Sequence, residues 1–247
     1  MPETRPKSIF PQRWQIFSGS ALKVIAMVIM LVDHGAAFLL RYVPQTMTPL
    51  FYIGGNPYSL YRIMRDTGRC AFPIFCFLLT EGFLHTHSRV KYGRNLLLFA
   101  CISEIPWNLA QNGTLFYPDK QNVFFTLFLG YLAFCAMEYF SERPVLSLLS
   151  IILLYAAAWH LGADYSYRGY VFLLIMYTLR DQRPAQAVVG TSWLLYEWKA
   201  CTAFLSINLY NGKRGFIRGK WAKYFFYAFY PLHILVLYGL RRLLIGA

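Results

Sequence analysis

Apolar residues gather into nine runs, near 21–41, 70–86, 93–111, 122–140, 145–161, 167–180, 185–198, 200–211 and 222–240. Polar, glycine- or proline-containing stretches separate them. A helix that crosses the hydrocarbon core needs about 20 mostly apolar residues, or fewer where its neighbours thin the bilayer. The pattern predicts an all-α fold, a polytopic transmembrane bundle of about nine spans with a cytoplasmic N-terminus. Residues 1–20 form a basic cytoplasmic segment, and 21–247 a single transmembrane domain. The seventh and eighth runs are short, and the alternative joins them into one long helix through Trp193 and Trp198.

Charge chooses between the two. With nine spans, 15 Lys and Arg fall on the cytoplasmic side and 9 outside; joining the short runs shifts the count to 12 against 11 and leaves Lys199 in the membrane. The excess of basic residues in cytoplasmic loops favours nine. Composition agrees: 57% of the 247 residues are apolar and 14% charged, and the mean hydropathy is +0.39. A soluble domain is nearer 25% charged. The net charge of +13 therefore reads as loop charge, and no nucleic-acid partner is expected. The lipid bilayer is the expected partner, and the cytoplasmic (inner) membrane the expected location. Cys70, Cys76, Cys101, Cys135 and Cys201 lack C-x-x-C spacing and read as free thiols.

Against this apolar background a few polar residues stand out, because a charge at mid-span costs about 2.5–3.5 kcal/mol even on the lenient insertion scale. Asp33 and His34 sit past the midpoint of the first run, Glu81 in the second, Glu104 with Asn108 in the third, and Tyr230-Pro231-Leu232-His233 in the last. They are expected to converge on one cavity. Glu104 and Asn108 are four residues apart, hence on one helix face. Pro106 and Pro231 free the carbonyls of Ile102 and Tyr227, a break tolerated at membrane depth where it lines a cavity. His85 and His87 beside Glu81 lack further ligands, so no metal is expected.

Two basic groups complete the picture. Arg62, Arg65 and Arg69 follow Gly54-Gly55-Asn56-Pro57 in the long 42–69 connection, and read either as an amphipathic surface segment or as an inward clamp for a phosphate or carboxylate. The cytoplasmic stretch Lys213-Arg214-Gly215, with Arg218, Lys220 and Lys223, could seat a phosphorylated carrier or be ordinary loop charge. A carboxylate-oriented histidine suits general-base chemistry near neutral pH. The residues alone leave a membrane transferase, a proton-coupled transporter or channel using the same groups, and an assembly scaffold open.

At these positions the chain resembles the TraX family, membrane proteins associated with F-pilin N-acetylation. The matching blocks run from Ala21-Leu22-Lys23 to Asp33-His34, from Gly68-Arg69-Cys70 to Glu81-Gly82-Phe83, and from Lys91-Tyr92 to Phe99-Ala100. Ile102-Ser103-Glu104-Ile105-Pro106-Trp107-Asn108, Asn122-Val123-Phe124-Phe125, Leu209 to Gly215 and Tyr224 to His233 follow in the same order. The resemblance implies an acyltransferase with acetyl-CoA as acyl donor and an amine- or hydroxyl-bearing acceptor, a pilin-like N-terminus among them. It makes Asp33 and His34 the catalytic pair, with Glu81, Glu104 and His233 as further catalytic members. Arg69, Lys213, Arg214 and Arg218 would hold the cofactor; Arg65, Asn108, Asn122 and Tyr230 would hold substrate.

Overall fold

The computed structural model describes residues 8–246, apart from the side chains of Lys220 and Lys223. The first seven residues of the basic head, and those two lysine side chains, lie outside the described residues. Among the described residues ten α-helices carry the fold: α1 (Gly19–Phe38), α2 (Leu60–Gly68), α3 (Ala71–His85), α4 (Arg89–Asn112), α5 (Val123–Tyr139), α6 (Pro144–His160), α7 (Ser166–Thr178), α8 (Arg183–Trp193), α9 (Ala203–Asn208) and α10 (Lys220–Leu244).

Local chemistry sets their ends. Ser18, Ser59 and Ser88 cap α1, α2 and α4 by accepting the amides of Ala21, Arg62 and Lys91, which satisfies donors that a helix start leaves unpaired. Proline opens α6 and α8, where no amide is needed. Gly113 ends α4 with φ +73°, a left-handed turn that costs glycine little. The expected 21–41 helix starts two residues earlier and stops at Phe38, continuing as 3-10 turns through Met47.

Two departures from the sequence pattern, a hairpin and the shortness of α8 and α9, follow from backbone chemistry. The 42–69 connection contains a hairpin of β1 (Pro49–Ile53) and β2 (Asn56–Ser59), so the fold is helical with one small antiparallel sheet. Gly54 and Gly55, at φ +55° and +78°, supply the two left-handed residues of a tight hairpin turn. Runs seven and eight are not one helix: a 3-10 segment, Leu195–Thr202, separates α8 from α9, with Glu197 out of helical geometry at φ −126°, ψ 53°. At 1.5 Å per residue α8 and α9 are only about 16 and 9 Å long, each short of the hydrocarbon thickness. Among the described residues, Gly19–Tyr42 and Leu60–His85 are long and apolar enough to cross a membrane.

Helix α1 packs on α2, α3 and α10; α4 lies between α5 and α10; and α5 carries α6 and α7 on its other side. Phe83, Phe134, Tyr170, Phe172 and Leu173 fill the interior. The outward faces are apolar too, with Val28 and Leu31 on α1, Leu149, Ile152 and Leu153 on α6, and Leu232 and Val236 on α10 all exposed. Such a surface is what lipid, rather than water, tolerates. Where α1 begins, the 209–217 loop is latched to it: Gly19 and Ser20 donate amides to the carbonyls of Lys213 and Arg214, at 2.8 and 2.9 Å. Where α1 ends, the buried Arg241 guanidinium donates to the carbonyls of Leu109 and Ala110 and to Tyr42 Oη. That contact ties α10 to the last turn of α4.

Helices α3, α5 and α7 meet at Gly169. A Cβ there would lie 2.6 Å from Tyr165 Cβ and 2.9 Å from both Phe72 and Thr126. Gly169→Ala is expected to cost about 1–3 kcal/mol through overpacking, read as a lower unfolding temperature in detergent; an unchanged temperature would contradict this packing.

Candidate functional site

Where α1, α2, α3, α5 and α10 approach one another, a cavity of about 210 Å³ opens at the end of the bundle away from Gly19. Asp33 and His34 from α1, Arg65 from α2, Arg69 just before α3 and Tyr230 from α10 line it. Five of the expected site residues therefore share one hollow, and His233 stands directly behind His34.

The hydrogen bonds of the two histidines fix their protonation pattern. His34 Nδ1 lies 2.6 Å from His233 Nε2, with the rings 6° from parallel. His233 Nδ1 lies 2.7 Å from the Phe229 carbonyl oxygen. A carbonyl only accepts, so His233 Nδ1 carries the proton and, in the neutral ring, His233 Nε2 is the acceptor. His34 Nδ1 must then be the donor, which leaves the lone pair on His34 Nε2. Phe38, Tyr230 and His233 enclose the His34 ring, and His233 is 6% exposed. The expected Asp33–His34 pairing gives way to a His34–His233 pairing. Consecutive residues on a helix point about 100° apart, so Asp33 meets a different neighbour.

That neighbour is Arg65, whose Nη1 donates to Asp33 Oδ2 at 2.6 Å. Glycine at 68 permits the contact: a Cβ there would lie 2.2 Å from Asp33 Cβ. Arg69 donates to Glu197 at 3.2 Å, and Lys199 pairs with Asp66, so the 3-10 segment braces α2 and the start of α3. Both arginines turn inward rather than lie on the surface.

Other expected members stand apart. Glu104 accepts the Asn122 backbone amide at 2.9 Å and also its side-chain amide. Asn122 Oδ1 in turn caps α5 on the Phe124 amide, and its Nδ2 reaches the Ala100 carbonyl. Asn108 donates to the Leu115 carbonyl. This group ties α4 to the start of α5 and does not line the cavity. Glu81 faces His85 at 3.7 Å near the end of α3. Lys213, Arg214 and Arg218 belong to the loop at the start of α1, and 15 residues of α1 put about 22 Å between Gly19 and His34.

Sequence reasoning missed Arg41, Lys120, Asp164 and Tyr165, all of which line the cavity. Asp164 and Tyr165 sit in the loop before α7, where Tyr165 and Ser166 hold φ of +64° and +43°, a rare conformation for non-glycine residues. Burial pushes the Asp164 carboxyl above its usual range, opposed first by Lys120. Their one sequence signal is acidic and aromatic residues adjoining Gly162, and no helical period marks a loop.

A helical bundle with two helices long and apolar enough to cross a membrane, and a histidine pair at the hollow between its first and last helices, defines the class. The family described as TraX protein matches residues 18–241, and the chain belongs to that family. It is 28% identical, over 92% of its own length and 97% of the relative's, to a "Probable fimbrial assembly protein FimC, serogroup H1" of Dichelobacter nodosus. No solved structure matches it.

Two substitutions test the geometry. Gly68→Ala should separate α1 from α2 and cost about 1–3 kcal/mol; full stability in thermal unfolding would contradict the close approach. Aspartate caps helices as well as asparagine does, yet Asn122→Asp sets a second carboxylate against Glu104. It should lower the unfolding temperature, whereas a silent substitution would mean that Asn122 is a cap alone.

Proposed function

We propose that this chain is a multi-pass membrane acyltransferase that uses acetyl-CoA to acetylate an amine or hydroxyl, with His34 as general base. The supporting observation is the histidine relay: a lone pair left on His34 Nε2, on the ring that lines the cavity. Charge supports a cytoplasmic N-terminus and about nine membrane-embedded helical runs, with α8 and α9 too short to cross fully and the start of α1 inside, in the cytoplasmic membrane. In that reading the donor's phosphates sit near Lys213, Arg214 or Arg218, and its arm runs about 22 Å along α1 to His34.

The acceptor attacks the thioester carbonyl carbon while His34 Nε2 takes its proton. The imidazolium so formed is stabilised through Nδ1–H by His233, itself anchored on the Phe229 carbonyl. The C–S bond breaks, and the proton on Nε2 passes to the departing sulfur, giving free CoA thiol. A thioester is already activated, so holding the reactants in place beside a base supplies much of the acceleration. Asp33 is assigned a holding role: it fixes Arg65 on the wall rather than orienting His34. Tyr230 packs edge-on to His34 and limits where the acceptor can lie. The relative's name, a fimbrial assembly protein, supports a subunit of a fimbrial or pilin type as the acceptor.

A proton-relay transporter draws less support, because Glu81 and Glu104 are engaged away from the cavity. Purified protein given acetyl-CoA and an amine should release CoA in detergent, without a sealed vesicle. His34→Ala should lower that rate by about 10²–10⁴, and His233→Ala should lower it less. Native turnover in His34→Ala would overturn the assignment.

A further inference from the structure

The cavity wall is unevenly charged. Arg41, Arg65, Arg69 and Lys120 line it against two carboxylates, Asp33 and Asp164, and His34 is neutral in its hydrogen-bonded arrangement. Two of the four cations are already committed, Arg65 to Asp33 and Arg69 to Glu197. Arg41 and Lys120 make no ion pair within 4 Å among the described residues, and both are exposed. Neither is loosely placed. Arg41 lies in the 3-10 turn Leu40–Tyr42 that continues α1. Lys120 stands over the Trp107 ring, its ammonium 5.7 Å from the centroid, and its carbonyl accepts the Trp107 indole N–H at 3.2 Å. Arg41 therefore presents positive charge at the rim that no carboxylate offsets, and Lys120, which also faces the buried Asp164 carboxyl, adds to it; at a hollow with low-dielectric walls such an arrangement concentrates anions.

Volume narrows the meaning. About 210 Å³ lies below the 300 Å³ or more usual for a whole small ligand. Only the reacting end of a substrate enters, and the adjoining part must rest at the rim. The loop proposed for the donor's phosphates lies at the opposite end of α1, so the rim cations serve a different group.

We propose that Arg41 and Lys120 form an anion-binding site at the cavity mouth that receives an oxyanion group, carboxylate or phosphate, carried by the acceptor next to the atom being acylated. The assignment of the anion to an acceptor rests on the transferase reading; the anion site itself does not.

The test uses the full chain in phosphatidylcholine nanodiscs, with inorganic pyrophosphate as probe in calorimetric titration. Binding should weaken at least tenfold in the Arg41→Gln/Lys120→Gln double variant and fall as salt rises. Arg143→Gln, an exposed charge before α6, should leave it unchanged. Because both rim side chains are exposed and neither holds an ion pair within 4 Å among the described residues, the double variant should unfold close to the wild-type temperature. Equal binding by wild type and double variant would overturn the site. Displacement of pyrophosphate by phosphatidylglycerol in the nanodisc would overturn the acceptor assignment in favour of a lipid headgroup. With acetyl-CoA present, the double variant should raise the KM of the dipeptide Ala-Glu at least tenfold at constant kcat and leave that of Ala-Ala-amide unmoved. Absence of any acetyl transfer with pyrophosphate binding intact would sink the transferase reading while the anion site stands.

Discussion

One hydrogen bond joins the first helix of the bundle to the last. His34 and His233 are 199 residues apart in the chain, and their contact requires α1 and α10 to lie side by side with both rings at one depth. Two polar rings in an apolar interior are costly unless each finds a partner. Here they satisfy each other, the Phe229 carbonyl accepts the remaining N–H of His233, and only the His34 Nε2 lone pair is left to the cavity. The arrangement thus serves two ends. It removes most of the desolvation penalty, and by anchoring one ring on a backbone acceptor it dictates which nitrogen of the other keeps a lone pair.

The elements around that bond hold it in place. Arg241 ties α10 to the end of α4, and the 209–217 loop is latched to the start of α1. Gly68 lets α2 close onto α1 until Arg65 meets Asp33. The ion pairs of Arg69 and Lys199 then brace the neighbouring wall with the 3-10 segment between α8 and α9. Their energetic value is modest one by one, as partly exposed pairs usually are, but together they restrict how the wall can move. The hollow that results is small, positive at its rim, and closed behind by aromatic rings.

Much of this was legible in the sequence, for a physical reason. An ionisable residue in an apolar run is expensive, so Asp33, His34, Glu104 and His233 announce themselves. What the expense does not reveal is the partner. Asp33 and His34 are adjacent in sequence, yet helical geometry sends them to different helices, and no local pattern could pair His34 with a residue almost two hundred positions away. Glu104 is visible for the same reason as His34 and Asn122 only through the family resemblance, but their polarity is spent on starting α5 correctly. Arg65 and Arg69 read equally well as surface charge, and packing decided that they turn inward. The hairpin stayed hidden because Pro49-Leu50-Phe51-Tyr52-Ile53 lacks the alternation that marks a half-buried strand. Asp164 and Lys120 lie in loops, where no period exists to betray them.

The pattern of protons on the two rings is the point from which the rest extends, and it is directly observable. Nitrogen-15 NMR of histidine-labelled protein in lipid at neutral pH reports whether each imidazole nitrogen carries hydrogen. His34 and His233 should both be neutral and both protonated at Nδ1, with a scalar coupling across the hydrogen bond from His34 Nδ1 to His233 Nε2. Protonation of His34 at Nε2 with a bare Nδ1, or no coupling between the rings, would contradict this pattern.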